Sequence, residues 1–342
     1  MIGRKNIILA YHSLSPPKEG CEDISTYVSS RQRVSASLFE KQLRWLSRFA
    51  EFVSLNEIIK SERADQWRVA VTFDDGYRDN VELGLPLFQR YEVPVTWFIS
   101  TEFIENPELL PWWDLVCYIM EQTRDGVSVT IAGEEHTYRL DSSAKRDKFR
   151  RDVREIFTTR DRSTCKALYN NLRTSASQLT TSSLPSNDFA DRELIMQAVE
   201  SSWITIGAHS VSHLNLAKIA SREVWKEVAE SRSRLQAWTD EPVDWFAYPY
   251  GGQNAYNDRI QNAVQEAGFK GAVTTNLDYV TDVSDLFALP RLMVPPWLGM
   301  IGFKASILAL NRVNWITQKH GDKVRWLYQL LERPLSSKTP TS

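Results

Sequence analysis

Cysteine is scarce in this chain: Cys21, Cys117 and Cys165 are the only three among 342 residues. Their number is odd and their spacing wide, which excludes a disulfide framework and a zinc knuckle. A reducing compartment is the simpler reading. Net charge is also nearly absent, at -2. That supplies no field for gripping a phosphate backbone, so nucleic acid is not an expected partner. Long apolar runs are missing too. The opening MIGRKNIILAYHSL has only IILA before polar residues intervene, too short for a signal-peptide core. No stretch approaches the roughly 20 apolar residues of a membrane-spanning helix. The expectation is a soluble, cytoplasmic protein, unless a leader was removed ahead of this numbering. There is no internal repeat and no long low-complexity run. Histidine is sparse as well, with five in all, so each position carries information.

What the chain does have is a rhythm. Short runs rich in β-branched residues recur: NIILAYH, EFVSL, RVAVTFDD, PVTWFIS, WITIGAHS, DWFAYPY, KGAVTT and LFALPRLMV. Helical patterns lie between many of them. SASLFEKQLRWLSRF (35–49) has apolar residues at helical spacing behind a serine cap, and YNDRIQNAVQEAGF (256–269) ends on Gly268, a helix stop. Strand then helix, repeated, predicts a parallel sheet closed or nearly closed into a barrel. Chemistry in such barrels gathers at the C-terminal ends of the strands. Residues 101–202 break the rhythm. A hairpin is predicted over 127–140 with its turn at Gly133, charged helices over 145–157 and 164–173, and a polar loop over 174–188. This segment reads as an insertion over the mouth of the active site.

Three strand ends carry chemistry. In VAVTFDDGYRDN (69–80), Asp74 stands beside Asp75 at the end of a strand. Successive strand side chains face opposite ways, so the two share a site only if the strand stops and Gly76 turns the chain. In IGAHSVSHLNL, His209 and His213 are four apart; in a helical turn that spacing puts two imidazoles on one side, within reach of one ion. One Asp with two His leaves positions open for water and substrate, the catalytic pattern. A second carboxylate can then act as base. In WFAYPYGG, an aromatic strand ends in a tight turn where the Tyr250 N–H is a candidate oxyanion donor. Each signal alone has a bland explanation: a solvated turn, a satisfied polar histidine, a tight loop.

In this order, TFDDG, HSxxH and PYG resemble the polysaccharide deacetylase family, also called NodB-like or carbohydrate esterase family 4, over roughly residues 6–294. The resemblance implies an α/β fold, a distorted (β/α) barrel of about seven strands, here with a large, mainly helical insertion at 101–202. It implies a metal-dependent hydrolase that removes acetyl groups from N-acetylated sugars of a polysaccharide or a lipid-linked glycolipid precursor. The cofactor it implies is a divalent metal, zinc first, cobalt or nickel next. Asp75, His209 and His213 become the metal ligands, Asp74 the general base, and Tyr250 the backbone oxyanion donor.

Two departures stand out. Many family members carry an arginine three residues before the motif's tyrosine, paired with the base; here that position is Ala247. Arg291, in LPRLMV, is the candidate substitute. Many also end on a Leu-x-His that protonates the leaving amine, and no such histidine follows here. His12, at the end of the first strand, is its expected replacement, because first and last strands are neighbours in a closed barrel. This resembles the family branch with circularly permuted motifs. Trp112, Trp113 and Trp297 are candidate sugar-stacking platforms.

The alternatives are a carbohydrate-binding pseudo-enzyme, given the two departures, and an O-acetyl esterase acting on glycans. The barrel is expected over 1–299 and a basic amphipathic tail over 300–342. That tail carries seven Lys/Arg against two acids, a net +5, which leaves -7 for the rest of the chain. It reads either as a peripheral contact with an inner-membrane surface or, preferably, as helices packed against the acidic remainder.

Overall fold

The computed structural model describes residues 5–16, 33–60, 66–131, 133–180 and 184–308. Residues to Leu298 form one compact unit, and the chain from Gly299 begins another. Of the latter, residues 299–308 are helical; the rest of the tail, with its basic charge, lies outside the described residues, as does Cys21. Cys117 and Cys165 are buried free thiols. No described helix is long and apolar enough to cross a membrane.

Among the described residues the main sheet holds eight strands: β1 (Asn6–Tyr11), β2 (Ala50–Phe52), β3 (Trp67–Phe73), β4 (Val95–Ile99), β5 (Ile204–Ala208), β6 (Trp245–Ala247), β7 (Gly271–Val273) and β8 (Leu292–Met293). Seven run in the order β7-β6-β5-β4-β3-β1-β8, and β2 joins the start of β3. Every pairing is parallel, so all C-terminal ends point one way. The distorted α/β barrel predicted from the sequence is the observed fold.

β3 is buried along its whole length, as a parallel strand covered on both faces must be. Inside the barrel, Ile8, Ala70, Phe98, Ala247, Val273 and Leu289 pack into one apolar cluster. On the outer face Phe73 stacks with Tyr11 at 5.3 Å, and both meet Phe39 of the helix Ala36–Leu46. Each buried Phe contributes about 1.5–3 kcal/mol.

The barrel closes through an irregular segment. The LFALPRLMV run was expected as one strand, but only Leu292–Met293 is regular. Upstream, Thr274 N–H donates to Leu289 C=O at 2.8 Å and Leu289 N–H to Ala272 C=O at 2.9 Å. Leu292 then pairs with Leu9 of β1. Pro290 breaks the ladder between these contacts, and the chain crosses from β7 to β1 there. Arg291 is carried through this break.

Between β4 and β5 the chain builds a second core. Leu115, Val116, Ile119, Phe149, Val153, Leu168 and Leu172 pack together from the helices Trp112–Gln122, Ser143–Thr159 and Arg162–Gln178. The predicted hairpin is present as Val127–Ile131 against Glu134–Tyr138. The last of the three helices runs through Gln178, past the expected end at 173. Ala176 is buried in this core, and the Thr174 and Ser177 hydroxyls bond back to the carbonyls of Asn170 and Arg173. Packing and back-bonding thus overrode a locally polar composition.

Candidate metal centre and active site

The doubled aspartate sits where β3 ends. Thr72 and Asp74 share the inner face of the strand, and the Asp74 N–H donates to Tyr11 C=O at 2.9 Å. By strand alternation Asp75 would face away. It does not, because Asp75 itself adopts φ 77° and Gly76 φ 102°. Both residues, rather than the glycine alone, make the turn. Left-handed backbone is tolerated by aspartate better than by most residues, yet still stores on the order of 1 kcal/mol. That strain is what puts both carboxyls in one site.

His209 follows β5 and His213 follows it by four residues, but not in a helical turn as the spacing suggested. Ser210 and His213 have φ 63° and 54°, and the segment is a tight loop. Glu227 holds it from below, accepting the Val211 and Ser212 N–H groups at 3.0 and 2.8 Å. Ser210 Oγ accepts the His213 N–H at 3.0 Å. The loop brings both Nε2 atoms to one oxygen: His209 lies 3.4 Å and His213 3.3 Å from Asp75 Oδ1. One ligand atom from each of the three residues falls within 4.8 Å of the others.

The donor set fits a divalent metal. Asp75 is 1 % exposed, and neither of its oxygens has a hydrogen-bond partner among the described residues. A buried, unpaired carboxylate is costly; a cation between it and the imidazoles removes that cost. His209 Nδ1 donates to Ala247 C=O at 2.7 Å. A carbonyl only accepts, so Nδ1 carries a proton and Nε2 is the nitrogen turned toward Asp75 and the ligand position. Burial pushes His213 down, against the pull of Asp75, and so favours its neutral form. Burial alone would raise Asp75, but the neighbouring His209 and His213 hold it far below the usual carboxylate range.

Arg291 reaches Asp74 from inside the barrel. Its two terminal nitrogens donate to the two Asp74 oxygens, each at 2.7 Å. The fork is fixed by Nε–H to Thr274 C=O at 2.9 Å and by Thr72 Oγ1 at 3.0 Å. Burial would raise Asp74; the guanidinium outweighs it and keeps the carboxyl below its ordinary value. Ala247, where the arginine was expected, is fully buried and serves through its carbonyl to His209.

His12 is half-buried at the end of β1. It lies close enough to Asp74, Asp75 and His213 to interact with each electrostatically. Tyr250 has φ 65° and Gly251 φ 61°, and Thr275 Oγ1 pins the turn by donating to Tyr250 C=O at 3.2 Å. The Tyr250 ring lies edge-on to His213, centroids 5.0 Å apart. The structure therefore brings together all seven candidates: His12, Asp74, Asp75, His209, His213, Tyr250 and Arg291.

A family model for polysaccharide deacetylases matches residues 61–272, more than half of the chain. The chain belongs to the polysaccharide deacetylase family. Among curated relatives, "Poly-beta-1,6-N-acetyl-D-glucosamine N-deacetylase" of Staphylococcus aureus is 22% identical over 268 residues, covering 76% of this chain and 67% of that protein. The Bacillus subtilis protein "Putative polysaccharide deacetylase YxkH" is 25% identical over 116 residues, 34% of this chain and 40% of that one. Among solved structures, the Streptococcus pyogenes deacetylase PplD in complex with acetate aligns with a TM-score of 0.56 at 17% identity, over 88% of this chain and 97% of that chain. That likeness is one of fold. Deacetylases of this family use a divalent metal, and this member's Asp75, His209 and His213 can hold one.

Within this family frame, the 101–202 segment contributes to the site in an unexpected way. Trp113 is buried rather than offered to a sugar: its ring packs on His213 at 4.7 Å, and its Nε1–H donates to Tyr77 OH at 2.7 Å. Tyr77 OH in turn donates to Asp114 Oδ2 at 3.1 Å. Trp112 stacks on Phe157 and donates to Tyr250 OH at 3.2 Å. Trp297 is 46% exposed. Sequence reasoning missed Tyr77, Thr72 and Glu227. Tyr77 alone had a signal, directly after the DDG turn; Glu227 is one charge among many on an exposed-looking helix.

Proposed function

We propose that this chain is a metal-dependent hydrolase that removes acetyl groups from N-acetylated sugars of a polysaccharide or glycolipid precursor, with zinc as its metal. The carrying observation is the convergence of Asp75, His209 and His213 around two unpaired buried oxygens, beside an Asp74 held ionised by Arg291. The N-acetylglucosamine polymer deacetylase among the relatives supports the substrate class.

A divalent ion held by Asp75, His209 and His213 would polarise the acetyl carbonyl and make a water acidic. The protein's own groups do the rest. Asp74 accepts the proton of the attacking water, and Arg291 keeps the carboxylate ionised and aimed. The Tyr250 N–H donates to the carbonyl oxygen as negative charge develops on it. His12 protonates the amine as the C–N bond breaks, giving acetate and a free amino sugar. The burial of Asp74 and Asp75 excludes bulk water from both carboxyls.

The pseudo-enzyme reading rests on two departures, the arginine replaced by Ala247 and the absent downstream histidine. The bidentate Arg291–Asp74 contact favours the catalytic reading instead. The test is acetate release from N-acetylglucosamine oligomers, with O-acetylated glycans as the comparison, after reconstitution with zinc, cobalt or nickel. Stoichiometric metal without acetate from any of these substrates would overturn the proposal.

A further inference from the structure

The segment carrying the aspartate pair continues as GYRDN, and its last two side chains reach the chain just past β1. Asp79 Oδ1 accepts the Leu14 N–H at 2.8 Å, and Asp79 Oδ2 accepts the Ser13 hydroxyl at 2.5 Å. Asn80 Nδ2 donates to the His12 carbonyl at 2.8 Å and to Asp79 Oδ1 at 2.8 Å. Arg33 Nε adds a bond to Ser13 Oγ at 3.2 Å. His12, Ser13 and Leu14 are thus each held by a polar side chain from one short turn. Both side chains, those of Asp79 and Asn80, come from the short helix Asp79–Glu82, which follows the Asp74–Asp75 corner after Gly76, Tyr77 and Arg78.

Two further facts give this clamp a purpose. The His12 ring has no hydrogen-bond partner among the described residues, so its backbone is what fixes its place. Asn80 is 1 % exposed, and its Oδ1 has no partner among the described residues. An unpaired buried amide oxygen costs on the order of 1–3 kcal/mol. A residue kept only for stability would not carry that cost; a residue kept to place a neighbour would.

We propose that Asn80, braced by Asp79, is a positioning residue for His12, setting the distance from its imidazole to the leaving amine. This rests on the function proposed above. It makes the two ends of the chemistry, water activation and leaving-group protonation, depend on one continuous stretch, Asp74 to Asn80. A misplacement of about 1 Å at such a group can cost roughly a hundredfold in rate.

The test compares two acetyl donors. An amine is a poor leaving group and needs protonation; the phenolate of para-nitrophenyl acetate does not. Asn80→Ala is expected to lose roughly tenfold or more on N-acetylglucosamine oligomers, while para-nitrophenyl acetate hydrolysis and bound metal stay near wild type. His12→Ala should show the same selective loss, and adding Asn80→Ala to it should cause no further loss. Asn80→Ser, which retains a donor, should lie between, and carries the test if Asn80→Ala does not fold. Equal loss on both substrates, or additive loss in the double variant, overturns the positioning role while leaving the deacetylase reading intact. A wild type inactive on every acetamide overturns both.

Discussion

Arg291 grips both oxygens of Asp74 at 2.7 Å, from a position 217 residues away in sequence and with no exposure to solvent. Removing one partner of such a pair strands the other. Arg291→Ala should destabilise the fold by about 3–5 kcal/mol, read by chemical denaturation. Arg291→Lys should lose less stability but not restore the fork, since an ammonium is a point donor.

The same pair fixes a pH dependence. Asp74 is lowered in the folded protein, against burial, by Arg291. Its contribution to stability is therefore present above the ordinary aspartate value and lost as pH falls through the lower folded value. In Arg291→Lys, Asp74 should hold its proton to higher pH. The acid limb of the deacetylation pH–rate profile should then shift upward.

His209→Ala and His213→Ala should each abolish stoichiometric metal, measured on the purified protein by elemental analysis. Activity should fall on the order of a hundredfold or more, the scale of losing a main electrostatic contact. Unfolding should remain cooperative, because the loop is held by Glu227 and Ser210 rather than by the imidazoles. Full metal content in either variant would remove the ligand assignment.

Trp113 ties the 101–202 segment to the metal centre. Trp113→Phe keeps most of the packing and loses the bond to Tyr77, and should cost about 1 kcal/mol with metal affinity little changed. Trp113→Ala opens a cavity beside His213 and should cost about 3–5 kcal/mol. Metal titration should show weaker binding in the alanine variant only.

Asp79 gives a separate pH signature. Burial pushes its carboxyl up to about 7, only partly offset by Ser13, Leu14 and Arg33, with Asp188 adding to the rise. Unfolded, it titrates near about 4. Its stabilising contribution is thus full below about 4 and declines as pH rises toward 7. Asp79→Asn should flatten stability against pH across that window, measured by denaturation at several pH values.

The sequence by itself determined the motifs and their order: TFDDG, the His209–His213 pair and PYG each lie at a strand end, and β-branched runs alternating with helices make a parallel sheet. Local chemistry suffices for that, because strand period and turn residues act within a few positions. Only the tertiary structure decided three things. The turn of Asp75 into positive φ, which gives it the same site as Asp74, needs Gly76 to follow and the neighbouring strand to fill the space, with Ile99 only 3.1 Å from where a Cβ on Gly76 would lie. The choice of Arg291 over any other arginine needs the barrel to close between β7 and β1, a contact made across most of the chain. The burial of Trp113 against His213 needs the packed core of the 101–202 segment. Each is a long-range packing event, and no window of sequence contains both partners.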